Sequence, residues 1–159
     1  MITEQDRIHL RRCVELAAQA LASGDEPFGS VLVSESGDVL FEDHNHIAGG
    51  DHTQHPEFAI ARWAAENMSL EDRAKATVYT SGEHCPMCAA AHGWVGLGRI
   101  VYASSSKQLT NWLKALKVKP ARVRPLPIDT IITDTIVDGP DELLAEKVKQ
   151  LHVQYHQSR

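Results

Sequence analysis

The chain has 159 residues, the length of one domain around one core. A composition of 43% hydrophobic and 23% charged residues is that of a water-soluble globular protein, and a net charge of −5 argues against a polyanion as the main partner. No stretch approaches the roughly 18 apolar residues of a membrane span, the N-terminus lacks the basic start and apolar run of a signal peptide, and three cysteines are not a disulfide framework. A reducing, cytoplasmic setting without membrane contact is the expectation.

In chain order, Thr3 to Ala22 reads as a helix. Thr3 caps it, Glu4 and Asp6 occupy its first turn, and Leu10, Val14, Ala17, Ala18 and Leu21 form its apolar face. Gly24 stops it. Phe28 to Ser34 and Val39 to Asp43 are β-type runs joined by Ser36-Gly37-Asp38, an antiparallel hairpin. A polar loop to Gln54 follows, and Pro56 opens a helix to Asn67. Thr77 to Ser81 is a strand, Pro86 begins a third helix, Arg99 to Ala103 is a fourth strand, and Lys107 to Lys117 is a helix with Leu109, Trp112, Leu113 and Leu116 inward. The alternation of Ile, Thr and Asp over Ile128 to Val137 predicts a fifth strand, and Asp141 to Tyr155 predicts a closing helix. A hairpin followed by βαβ alternation implies an α/β fold: a three-layer α/β/α sandwich on a central five-stranded mixed sheet, one domain over residues 1–159. Ligands in such sheets bind beyond strand ends, where helix N-termini point.

The chemistry gathers in His55-Pro56-Glu57 and His84-Cys85-Pro86-Met87-Cys88. Alone, a CxxC entering a helix after a strand reads either as a metal site or as a redox pair. The distant His-x-Glu favours metal. Cys85, Cys88 and His55 supply three zinc ligands and leave an open position for water, the pattern of a catalytic site. Water in such a site loses much of its proton affinity, and Glu57 stands ready to accept the proton. Residues two apart do not share a helix face, so His55 must lie just outside the helix and Glu57 in its first turn.

These motifs resemble the H-x-E…P-C-x-x-C signature of the cytidine deaminase-like zinc deaminases. Pro27-Phe28-Gly29-Ser30-Val31, Val78-Tyr79-Thr80-Ser81, Trp94 and Ile100-Val101-Tyr102-Ala103 extend the likeness, which is closest to the bacterial guanine deaminases. The resemblance implies Zn2+ on His55, Cys85 and Cys88, proton shuttling by Glu57, and a free nucleobase or related amino-heterocycle as substrate. It further implies that Asn45 hydrogen-bonds the base, that Phe28 and Trp94 form apolar walls, and that subunits pair as a homodimer, for which the Trp112/Leu113/Leu116 segment offers a surface.

The chain departs from the family pattern in three places. Pro56 stands where a small residue usually donates its backbone N–H to substrate, and proline has none. His84 replaces the usual proline before the first cysteine; a role in the pocket or in support of the ligands is expected rather than ligation. No Asp or Glu lies between Glu83 and Asp129, where guanine deaminases carry a purine-reading acid. Tyr155 falls where those enzymes close the pocket with a tail tyrosine, or it is an aromatic on a frayed tail. His44, His46, His52 and His92 read as solvated or locally bonded, and Cys13 as a small core residue.

Arg99, Lys107, Lys114, Lys117, Lys119, Arg122 and Arg124 form a basic strip without acidic residues between them. A solvated face is the expectation, and nucleic acid is not the expected partner. The alternatives are a tRNA adenosine deaminase, for which this strip would hold phosphates, and, from other classes, a thiol-disulfide oxidoreductase or a noncatalytic zinc module.

Overall fold

The computed structural model describes residues 1–159. Its elements are α1 (Glu4–Ala22), β1 (Gly29–Val33), β2 (Val39–His44), α2 (Pro56–Asn67), α3 (Leu70–Lys75), β3 (Thr77–Gly82), α4 (Pro86–Val95), β4 (Ile100–Ser104), α5 (Ser106–Ala115), β5 (Val137–Asp138) and α6 (Glu142–Gln157), with 3-10 turns at Ile47–Gly49 and Ile128–Thr130. The strands form one sheet in the order β2-β1-β3-β4-β5. β1 is antiparallel to β2 and β3, whereas β3, β4 and β5 run parallel. This is the expected five-stranded mixed sheet.

Strand alternation divides the core. Val31, Val33, Tyr79, Val101 and Ala103 face Leu10, Cys13 and Leu16 of α1 and Leu144 and Val148 of α6. Leu32 and Val78 face the other way, against Ile60, Ala61 and Ala64 of α2. Ala89 of α4 completes that second layer with Ile100 and Ile128. Close packing of α1 on β1 depends on Gly29: a Cβ there would meet Cys13 O and lie 2.5 Å from Leu16 Cβ. No helix is long and apolar enough to cross a membrane.

Three expectations need correction. The fifth strand is only Val137–Asp138. Ile128–Thr130 turns as a 3-10 helix because Glu83 accepts from Ile128 N at 2.9 Å, and Ile131 and Ile132 pack on the core instead of pairing. The alternation there records turn packing, not a ladder. The basic strip also loses Arg99. Its guanidinium bonds Asp6 at 2.9 and 3.0 Å and Asp138 at 3.0 Å, at the N-terminal end of β4. Finally, α5 has no fully buried residue, although Trp112 packs against the α1/α6 layer.

Candidate active site

The register of β1 on β3 sets Ser30 directly opposite Thr80. Both side chains leave the sheet on the α2 side, and both are fully buried. Pro56 at the first position of α2 supplies a ready-made φ. His55 before it is extended (φ −90°, ψ 144°), so it stands outside the helix as its N-cap while Glu57 lies in the first turn. Glu57 Oε1 is held by Ser30 Oγ at 2.9 Å and Thr80 Oγ1 at 2.7 Å. Its other oxygen takes no hydrogen bond from another residue. Burial pushes the Glu57 carboxyl up, opposed by the Thr80 hydrogen bond and the charge of His55.

At the end of β3 the chain turns into α4. Cys85 is the N-cap and accepts from Cys88 N at 3.5 Å, which folds both thiols towards one point. His55 Nδ1 lies 3.5 Å from Cys85 Sγ and 3.4 Å from Cys88 Sγ. A tetrahedral zinc with ordinary Zn–S and Zn–N bonds sets its nitrogen and sulfur ligands about 3.5 Å apart, so these separations fit the ion. His55, Cys85 and Cys88 are the one set of side chains whose ligand atoms lie within 4.8 Å of one another. The Cys85 thiol is pulled down to about 4, first by the hydrogen bond from Cys88, then by that from His55, against the cost of burial. A thiolate beside an imidazole is the donor set that zinc takes.

The remaining expected residues distribute unevenly. Asn45 is buried beside this region: its N–H donates to Phe28 O at 3.0 Å, and its Oδ1 finds no partner. Phe28 is half-buried and rests on Gly82, where a Cβ would lie 3.2 Å from Phe28 Cε1. Pro56 is buried at the head of α2. His84 is only 1% exposed and is not among the clustered ligands; its ring stands edge-on to His92 at 5.4 Å. Trp94 is not brought here. It is 87% exposed, six residues or about 9 Å of helix beyond Cys88, and forms no wall within a single chain. Tyr155 is half-buried on α6, with Arg159 stacked 3.9 Å over its ring and Arg159 bonded to Gly24 O.

Several supporting residues escaped sequence reading. Ser30 and Thr80 look like ordinary strand residues until the register pairs them. Glu83 binds Ser106 N and Ser106 Oγ with one oxygen and Ile128 N with the other, pinning α5 and the 128 turn next to the cysteines. His152 of α6 is buried edge-on to Phe28 at 5.0 Å. Only the apolar setting of that histidine, in a helix whose neighbours Val148 and Leu144 face inward, could have signalled it.

The model of the cytidine and deoxycytidylate deaminase zinc-binding region matches residues 3–104. The chain is 35% identical over 109 residues to a protein of Schizosaccharomyces pombe named probable cytosine deaminase, covering 68% of this chain and 65% of that one. It is 34% identical over 104 residues to a tRNA-specific adenosine deaminase of Haemophilus influenzae, covering 65% and 60% respectively. The matches thus span slightly less than two thirds of these relatives. The fold superposes on a guanine deaminase of Nitrosomonas europaea with a TM-score of 0.70 at 19% identity, over 99% of this chain and 86% of that one. On the family match over residues 3–104 and a donor set that fits zinc, the chain belongs to the cytidine and deoxycytidylate deaminase zinc-binding family.

Proposed function

We propose that this protein is a zinc-dependent aminohydrolase that removes the exocyclic amine of a free nucleobase or related amino-heterocycle, cytosine- or guanine-like or an aminotriazine, and releases ammonia. The observation that carries this reading is the Glu57 carboxyl: buried, raised by that burial, anchored through one oxygen only, and two residues from a metal-fitting histidine. A structural zinc module needs no such group. The similarity to a protein named probable cytosine deaminase supports the same reading.

Zinc on His55 Nδ1, Cys85 Sγ and Cys88 Sγ would supply a polarised water at the ring carbon bearing the amine. Glu57 takes a proton from that water through its free oxygen and passes it to the ring nitrogen. The water oxygen would bond to carbon; Glu57 would then take the second proton from that oxygen and give it to the amine nitrogen, so that the carbon–amine bond breaks, a carbonyl remains and ammonia leaves. Asn45 holds the ring by its buried amide, and Phe28 covers one face. Pro56 offers no backbone donor, so substrate contacts on that side come from side chains. His84, buried edge-on to His92, packs behind the cysteines rather than ligating. Glu57→Ala is the test: it should retain zinc and lose ammonia release, whereas retained turnover would refute the role of Glu57.

The exposed Trp94 suits the homodimer expected from the family, and sedimentation of the intact protein measures that state. A second reading, a tRNA adenosine deaminase, is favoured by one observation. Lys107, Lys114, Lys117, Lys119, Arg122 and Arg124 are all exposed, and none is engaged in an ion pair. Binding of a tRNA anticodon stem with a steep salt dependence would support it.

A further inference from the structure

Buried polar atoms without a partner are costly, so each one calls for a physical explanation. Here they are Asn45 Oδ1, both nitrogens of His84, His92 Nδ1, His152 Nδ1 and His156 Nε2. The His84 and His92 rings stand against each other beside the cysteines. Two of these residues touch Phe28, Asn45 through its main chain and His152 through its ring. Asn45 N–H donates to Phe28 O at 3.0 Å, and the His152 ring stands edge-on to the Phe28 ring at 5.0 Å and 66°. Phe28 in turn lies against Gly82, whose carbonyl oxygen is 2.9 Å from Thr80 Oγ1, the hydroxyl that holds Glu57.

We propose that His152 is a specificity-determining residue: with Asn45, and brought like it against Phe28, its imidazole hydrogen-bonds the edge of the substrate ring away from the departing amine. The inference rests on the deaminase reading and narrows it. Burial pushes the His152 imidazole down to about 3, so it is neutral near pH 7 and presents one donor and one acceptor. Trp112 stands on its other side, at 6.2 Å. A neutral imidazole there suits an uncharged ring with a carbonyl oxygen or ring N–H on its far edge. Cytosine and guanine have such groups; 4-aminopyrimidine and 2-aminopurine keep the amine but lack the corresponding carbonyl.

The experiment is calorimetric binding of these four rings to zinc-loaded Glu57→Gln protein, with and without a change at His152. With His152 present, the carbonyl-bearing member of at least one pair should bind about tenfold more tightly or better, the worth of one hydrogen bond. His152→Leu should reduce that preference to within about twofold and raise the thermal midpoint, because it removes an unpaired buried polar group. His152→Asn, which keeps a donor and acceptor near the Nδ1 position, should restore part of the preference. No preference with His152 present, an unchanged preference in His152→Leu, or a preference lost only together with a lowered thermal midpoint overturns the inference. Failure of every ring to bind contradicts the deaminase reading, and this inference with it.

Discussion

Thr80 Oγ1 donates to Glu57 Oε1 at 2.7 Å, and the register that puts Ser30 opposite Thr80 brings a second hydroxyl to the same oxygen at 2.9 Å. One carboxylate oxygen is thereby fixed to the sheet while the other remains available. A backbone property, the pairing of β1 with β3, thus decides how an acid on a helix is aimed.

Thr80→Val removes that hydroxyl at nearly constant volume. Glu57 then keeps one anchor of two, and its aim loosens. Turnover should fall about 10- to 100-fold with zinc content unchanged, the range expected of a positioned proton-transfer group. Steady-state kinetics beside metal analysis measure this, and an undiminished rate would show that Thr80 only fills space.

Metal should be inseparable from turnover. Removal by a strong chelator should abolish ammonia release, and one equivalent of zinc per chain should restore it. Cys85→Ser and Cys88→Ser should each leave zinc well below one equivalent, since each takes one of three ligands. The thermal midpoint should also fall on chelation, because a ligand that binds only the folded state stabilises it.

Acid stability should depend on Asp6. Burial alone would raise its carboxyl, but the Arg99 guanidinium, the Thr3 N–H and the Tyr79 hydroxyl together hold it well below the ordinary range. A carboxyl depressed in the folded state contributes stability above its unfolded value, near 4, and that contribution is lost as pH falls through the lower folded value. Asp6→Asn should therefore cost about 3 kcal/mol at pH 7, the scale of breaking a largely buried pair, and progressively less as pH falls below about 4. Urea unfolding across pH provides the comparison, and a pH-independent difference would contradict the linkage.

Glu83→Ala should destabilise by about 2 kcal/mol, because two backbone N–H groups and a hydroxyl lose their acceptor. Glu83→Gln, which keeps an acceptor oxygen, should cost less. Equal losses for the two variants would mean that charge, not hydrogen bonding, pins the 128 turn.

Much of this architecture is legible residue by residue. Thr3 is the N-cap expected of it, and Asp6 adds the reciprocal bond of a capping box. Pro56 and Pro86 open α2 and α4, placing His55 and Cys85 at helix caps. Elsewhere local pattern and tertiary structure diverge. α3 (Leu70–Lys75) has a Ser69 cap bonded to Asp72 N but no buried side chain, so no apolar stripe announces it. Over Ile128–Val137 the apolar period is that of a strand, yet a distant carboxylate, Glu83, takes the backbone donor and bends the segment. Arg99 looked like part of a basic surface because its acidic partners lie 93 and 39 residues away. The site follows the same division. The three side chains that could hold a metal and the Glu57 carboxyl sit in contiguous motifs, whereas Ser30, Thr80, Glu83 and His152 acquire their places only through strand register and helix docking.

The most direct measurement is ammonia release by zinc-loaded protein from cytosine, guanine, aminotriazines, nucleosides and a tRNA anticodon stem, with Glu57→Ala alongside. Release from one or more free rings, abolished in Glu57→Ala while its zinc is retained, is the predicted result. Release from the RNA alone, or from nothing in the panel by protein carrying one zinc per chain, would contradict a free-ring deaminase.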